Sequence, residues 1–113
     1  MRKKEQEKIL NDLNDFTKKT LLRGFKNRKN KVVDTVEGIQ VYNYEIIHDE
    51  DDRNHVLVSN IQIGARVFVV LDENAKSSDN ILLKNGKPFS FRYNSDIDNY
   101  EVDVDTVNFY DAS

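Results

Sequence analysis

The stretch VLVSNIQIGARVFVVL, residues 56–71, decides the fold class of this protein. Two apolar runs, Val56–Ile63 and Arg66–Leu71, flank Gly64, and both are rich in the β-branched and aromatic residues typical of strands. The second run ends in five consecutive apolar residues, which indicates a strand that is buried on both faces. No helical pattern separates these runs from the other strand-like segments, so the sequence predicts an antiparallel sheet rather than parallel βαβ units.

The segments on either side extend the same pattern. Gly38 is expected to mark a bulge, and the polar run His48–His55 is expected to connect two strands of a hairpin. The pair Asn85-Gly86 predicts a second hairpin, because it supplies the two positive φ angles of a type I′ turn. Pro88 belongs at a strand start or a sheet edge. Further strands are predicted over Val32–Val36, Ile39–Ile47, Ile81–Lys84, Lys87–Tyr93 and Tyr100–Tyr110.

Before the sheet, residues 5–22 predict one amphipathic helix. Ile9, Leu13 and Phe16 recur at helical spacing on one face, and Gly24 is suited to a left-handed cap. We therefore expect a single α+β domain over residues 1–113, with the helix in 1–24, a basic connector in 25–31 and the sheet in 32–111.

Two arrangements of this helix and a five- to six-stranded antiparallel meander are open. One is a small closed or partly closed barrel of the OB type, which the number of strands and the short apolar runs favour. The other is a curved sheet wrapped on the helix, as in cystatin-like rolls, and the helix-first order suits it.

Charge is divided unevenly along the chain. Residues 18–31 carry seven cations and no acid, which gives +7, whereas residues 32–113 carry six cations and sixteen acids, which gives −10. Residues 1–17 are balanced, so the whole chain has a net charge of −3. Such blocks determine which partners a surface attracts, and the basic block is the clearest functional signal in the sequence.

Other classes of function have little support. The absence of cysteine excludes disulfides and thiolate chemistry, and it fits a reducing, cytoplasmic setting. No signal peptide and no membrane segment are expected. The four glycines are dispersed and no catalytic motif occurs, so we expect neither an enzyme nor a cofactor. His48–His55 contains two histidines and four acids, but their spacing matches no common metal site, and no metal is expected.

The leading hypothesis is a small accessory protein that binds nucleic acid, with a single strand as the expected form. Cations would hold the phosphate backbone, and strand aromatics, if exposed, would stack on bases. Phe25 could add a further stacking contact. The candidate residues are Lys18, Lys19, Arg23, Lys26, Arg28, Lys29, Lys31, Phe89, Phe91 and Tyr93.

A rival hypothesis uses the acidic surface instead. Asp49–Asp52, together with Glu101, Asp103 and Asp105 on one face of the last strand, would bind a basic protein partner. The protein would then be an inhibitor or adaptor of a host enzyme that acts on nucleic acid, of the kind that phages and mobile elements encode. Pairing of exposed sheet edges into a homodimer is a third possibility.

Overall fold

The structure, a computed structural model, describes residues 3–113. It begins with one helix, α1, which spans Lys3–Leu21. Ile9, Leu13, Thr17 and Leu21 are its buried residues and recur every four positions, as an amphipathic helix requires. The chain leaves the helix through Gly24, whose φ of +80° confirms the predicted left-handed conformation.

Six antiparallel strands follow, and the α+β class is confirmed. The two longest, β1 and β2, form a hairpin whose register shifts around Gly38, as the sequence predicts for a bulge. A short 3₁₀ helix lies between the last two strands. The elements are β1 (Val33–Asp49), β2 (Asp52–Val70), β3 (Lys76–Asn85), β4 (Phe89–Asn94), β5 (Asn99–Val102), the 3₁₀ helix (Val104–Thr106) and β6 (Phe109–Asp111).

Strand β2 is the centre of the sheet. Strand β1 pairs along one of its edges, while β3 and β4 share the other edge, with β3 opposite residues 62–70 and β4 opposite residues 55–58. Beyond them, β5 pairs with β4 and β6 pairs with β3. The β1 edge does not join the β5 and β6 edge, so the sheet is open and the OB-type barrel is not confirmed.

The prediction of a hairpin at Asn85-Gly86 is wrong, because β3 and β4 pair with β2 and not with each other. Strands β3 and β4 run in the same direction along β2 and are interrupted only by residues 86–88. The Asn85 side chain donates to the carbonyl oxygen of Thr106 at 2.8 Å and accepts from the N–H of Asn108 at 2.5 Å. These contacts with a distant segment replace the local turn. Asn60, which lies in β2 between the residues that pair with β3 and those that pair with β4, has a positive φ of 55°.

The predicted last strand, Tyr100–Tyr110, is also interrupted. Strand β5 ends at Val102, and Asp103 caps the 3₁₀ helix by accepting a hydrogen bond from the N–H of Asp105 at 3.0 Å. An aspartate two residues before an N–H commonly forms such a turn, and here it overrides the alternating pattern.

The hydrophobic core lies between α1 and one face of the sheet. An aromatic cluster occupies its centre, where Phe16 of the helix meets Phe89 at a centroid distance of 5.6 Å and Phe109 at 5.8 Å. Val56, Ile63 and Leu83 are fully buried around it. This face of the sheet is called the inner face below, and the opposite face is the outer face.

Candidate nucleic-acid interface

The basic segment, residues 18–31, begins in the last turn of α1. Lys18 and Lys19 are exposed there, where the helix dipole favours positive charge. Arg23 follows in the turn that ends the helix and is also exposed. The last turn of the helix and the turn that follows it therefore hold three of the seven cations.

The connector that follows is a folded loop organised by Asn27. This side chain is only 6% exposed, and its Oδ1 accepts from the N–H groups of Lys29 at 3.0 Å and Lys31 at 2.9 Å. The backbone N–H of Asn27 also donates to the carbonyl oxygen of Lys31 at 2.9 Å. Asn30 completes the loop with a positive φ of 63°. The cations of the connector are thus displayed from a hydrogen-bonded turn.

Two acids of the sheet hold this turn in place. The Asn27 side chain donates to Asp79 Oδ2 at 2.9 Å, and the Arg28 N–H donates to Asp111 Oδ2 at 2.9 Å. The Arg28 guanidinium lies 3.4 Å from Asp111 and 3.7 Å from Asp79. Burial opposes ionisation of Asp111, but hydrogen bonds from Ser113 and Arg28 outweigh it and lower its pKa. Arg28 is therefore an anchor of the connector.

The other six cations of the basic segment do not anchor the connector to acids of the sheet. Within residues 3–113, none of them lies within salt-bridge distance of an acid. Lys31 is half-buried and the remaining five are exposed. Because no acid of the described residues forms a salt bridge with them, these cations are available to an anionic ligand. They are Lys18, Lys19, Arg23, Lys26, Lys29 and Lys31.

Two of the aromatic residues predicted to stack on bases are in the core. Phe89 and Phe91 are 0% exposed and contact Phe16 of α1. Burial of an aromatic ring is strongly favourable, and strand alternation directs both side chains to the inner face. The condition for their proposed role, exposure to solvent, is therefore not met by Phe89 and Phe91.

Tyr93 is partly exposed but lies away from the basic segment. Its ring packs against Tyr100 with centroids 5.3 Å apart, and Lys8 lies 5.7 Å from its centroid. Lys8 is ten residues before Lys18, a distance of about 15 Å along a helix. Phe25 lies within the segment, but it is half-buried and packs against the core. The structure does not bring the cations and the aromatic row together.

The acids proposed for the rival role do not form one row. Glu101 lies in β5, whereas Asp103 caps the 3₁₀ helix and Asp105 lies inside it. At the β1–β2 hairpin, Asp49 contacts His55 at 2.9 Å and Asp52 contacts Arg92 at 2.6 Å. The charge of Asp52 is thus neutralised within the molecule by Arg92.

The two histidines have separate surroundings. His48 contacts Glu5 at 3.3 Å on the side of α1, while His55 contacts Asp49 and Ser90. Residues 3–113 contain no cluster of three or more side chains suited to a metal ion. A cleft of about 600 Å³ opens beside His48, and there Tyr100 donates to Glu5 at 2.7 Å. Burial and the Glu5 contact raise the pKa of Tyr100.

Sequence reasoning missed the residues that shape the connector. Asn27, Asp79 and Asp111 belong to three distant parts of the chain, so no local pattern links them. The one available signal was the pair Asn27 and Asn30, because asparagine favours turns and tolerates positive φ.

Comparison with known proteins gave no match to a family model, to a curated protein or to a solved structure. Among residues 3–113, no helix combines the length and apolar character needed to cross a membrane.

Proposed function

We propose that this protein binds nucleic acid through the phosphate backbone, with the basic segment as its contact surface. One observation carries the proposal: six cations of residues 18–31 form no salt bridge with an acid of the described chain. These fourteen residues comprise the end of α1 and the ordered connector that follows it. Each phosphate that a cation neutralises releases a counterion, which supplies most of the affinity of nonspecific binding.

The buried aromatic rings change the kind of recognition that we expect. Without Phe89 and Phe91 as stacking platforms, the segment contacts phosphates but not bases. Binding should therefore depend weakly on base sequence, and duplex DNA should bind at least as well as a single strand. The acidic remainder of the chain repels the ligand elsewhere and confines it to this segment.

The structure also determines which substitutions test the proposal. Arg28 is unsuitable because it anchors the connector to Asp79 and Asp111. Lys26 and Lys29 are exposed and have no such contact. The test variant is therefore Lys26→Glu with Lys29→Glu. The matched control is Lys3→Glu with Lys87→Glu, which changes the net charge equally at two exposed lysines outside the segment.

Fluorescence anisotropy with a labelled oligonucleotide at about 50 mM salt, where phosphate contacts are strong, measures the affinity of each variant. We expect the Lys26/Lys29 variant to lose at least about tenfold in affinity, and the control to stay within about twofold. No measurable binding by the unmodified protein, or equal losses in both variants, would contradict the proposal.

A further inference from the structure

Three polar side chains on the outer face of the sheet form a hydrogen-bonded chain that the sequence did not reveal. His55 Nε2 lies 2.7 Å from Ser90 Oγ, and His55 Nδ1 lies 2.9 Å from Asp49 Oδ2. A serine, a histidine and an aspartate connected in this order are the components of the nucleophilic triad, which is recognised by geometry rather than by sequence position.

The fold explains how these residues meet. Ser90 lies between Phe89 and Phe91 in β4, and because both rings point inward, Ser90 points outward. Leu57 of β2 pairs with Ser90, so His55 is its diagonal neighbour on the same face. Asp49 reaches His55 from the end of β1, where the hairpin closes.

The hydrogen bonds also determine the tautomer of the histidine. An ionised carboxylate can only accept hydrogen bonds, and Asp49 already accepts the N–H of Asp51 at Oδ1 at 2.9 Å, so its Oδ2 is an acceptor for His55. The proton of neutral His55 therefore resides on Nδ1. Nε2 is left as the acceptor for the Ser90 hydroxyl, as a general base requires.

We propose that Ser90 is a nucleophile that takes an acyl group from small activated esters, with His55 as its general base and Asp49 as the residue that positions His55. Ser90 Oγ forms a bond to the ester carbonyl carbon while its proton passes to His55 Nε2. The bond to the leaving phenol then breaks, and the phenol departs with that proton. Water, deprotonated by His55, attacks the acyl carbon, the bond from this carbon to Ser90 Oγ breaks, and the acyl group leaves as a carboxylic acid. The proton on His55 Nε2 passes to Ser90 Oγ and restores the hydroxyl.

The surroundings of Ser90 limit the substrate. The Ser90 N–H donates to Thr106 Oγ1 at 3.0 Å and is not free to stabilise the developing oxyanion. In other enzymes, removal of one such donor lowers the rate by about 10²–10³. Activated esters, whose leaving groups are stable anions, tolerate this deficit, whereas amides do not. The site is also partly exposed on an open sheet face, which suits small acyl groups.

A fluorophosphonate probe tests the nucleophile directly, because its P–F bond breaks and fluoride leaves as Ser90 Oγ bonds to phosphorus. The adduct is measured by intact mass and located by peptide mapping. We expect one adduct, at Ser90, and none in Ser90→Ala. His55→Gln should slow labelling at least about 100-fold, the lower range for a general base. Asp49→Asn should slow it, and Asp49→Glu should recover part of the rate.

Two matched controls separate activation from exposure. Ser59 is another partly exposed serine on the sheet, and its replacement by alanine should leave the labelling rate unchanged. His48→Gln, which removes the other histidine, should also label at the normal rate. Thermal unfolding shows which variants are folded. If Ser90→Ala is unfolded, the labelling rate of His55→Gln and the position of the adduct in the peptide map still test the proposal. Absence of a Ser90 adduct, or labelling at the normal rate in folded His55→Gln, would overturn the proposal.

Discussion

The basic segment and the strand aromatics were predicted to form one binding site, and the structure gives them opposite environments. Six cations of the segment remain without an acidic partner in the described chain, while Phe89 and Phe91 are 0% exposed. The difference follows from the cost of burial. A charged ammonium group loses much more on leaving water than it gains, whereas a phenyl ring gains several kilocalories per mole. The two regions can therefore be tested separately, one through stability and the other through binding.

The largest expected effect is in the core. Phe89→Ala should lower the free energy of unfolding by about 3–5 kcal/mol, because it leaves a cavity beside Phe16 and Phe109. Tyr110→Ala, at a side chain that is 48% exposed, should cost under about 1 kcal/mol. Urea unfolding measures both. The milder variant Phe89→Leu should bind oligonucleotide with normal affinity. Loss of affinity in folded Phe89→Leu would show that the Phe89 ring contributes to binding.

The next effect lies inside the connector. Asn27→Ala should cost about 2 kcal/mol, because it leaves two backbone N–H groups and the Asp79 carboxylate without their partner. The control is Asn43→Ala, which removes one exposed side-chain contact with Gln62 and should cost under about 0.5 kcal/mol. Equal costs by urea unfolding would mean that Asn27 does not organise the loop.

Arg28 and Lys29 are adjacent cations with different roles, and they give a smaller effect. Arg28→Ala should cost about 1 kcal/mol, because it removes the countercharge of Asp111, whose side chain is only 2% exposed. Lys29→Ala should change stability by less than about 0.5 kcal/mol but weaken binding. The reverse order of stability losses would show that the anchor was assigned to the wrong cation.

Acid should weaken the same anchor, with the smallest effect. The pKa of Asp111 is lowered in the folded protein, so its contribution to stability is complete above the unfolded pKa, near 4. It is lost as the pH falls through the lower, folded pKa. In Asp111→Asn, the free energy of unfolding should decline less steeply with acid than in the unmodified protein. Parallel pH curves from urea titrations would argue against an ionised anchor.

The parts of the fold that could be predicted depend on local pattern. The helix, the Gly38 bulge and the β1–β2 hairpin follow from periodicity and turn chemistry within a few residues. The Asn85-Gly86 hairpin failed because Asn85 instead bonds to Thr106 and Asn108, more than twenty residues away. The prediction of one continuous strand over Tyr100–Tyr110 failed because an alternating pattern contains no information about the cap that Asp103 forms.

The candidate site shows the same limit. The density of positive charge was visible in the sequence, since charge needs only counting. The difference between Arg28 and its neighbours was not, because it depends on Asp79 and Asp111 in two distant strands. The burial of Phe89 and Phe91 was ambiguous, since alternation assigns both rings to one face without saying which face is covered.

The salt dependence of oligonucleotide affinity tests the central claim most directly. If the six cations contact phosphates of a single strand, the slope of log K against log salt should approach about −4, and Lys26→Glu with Lys29→Glu should reduce its magnitude by about 0.7 for each lysine. The Lys3→Glu with Lys87→Glu control should keep the original slope. A slope near zero, or the same slope in the Lys26/Lys29 variant as in the unmodified protein, would contradict the account.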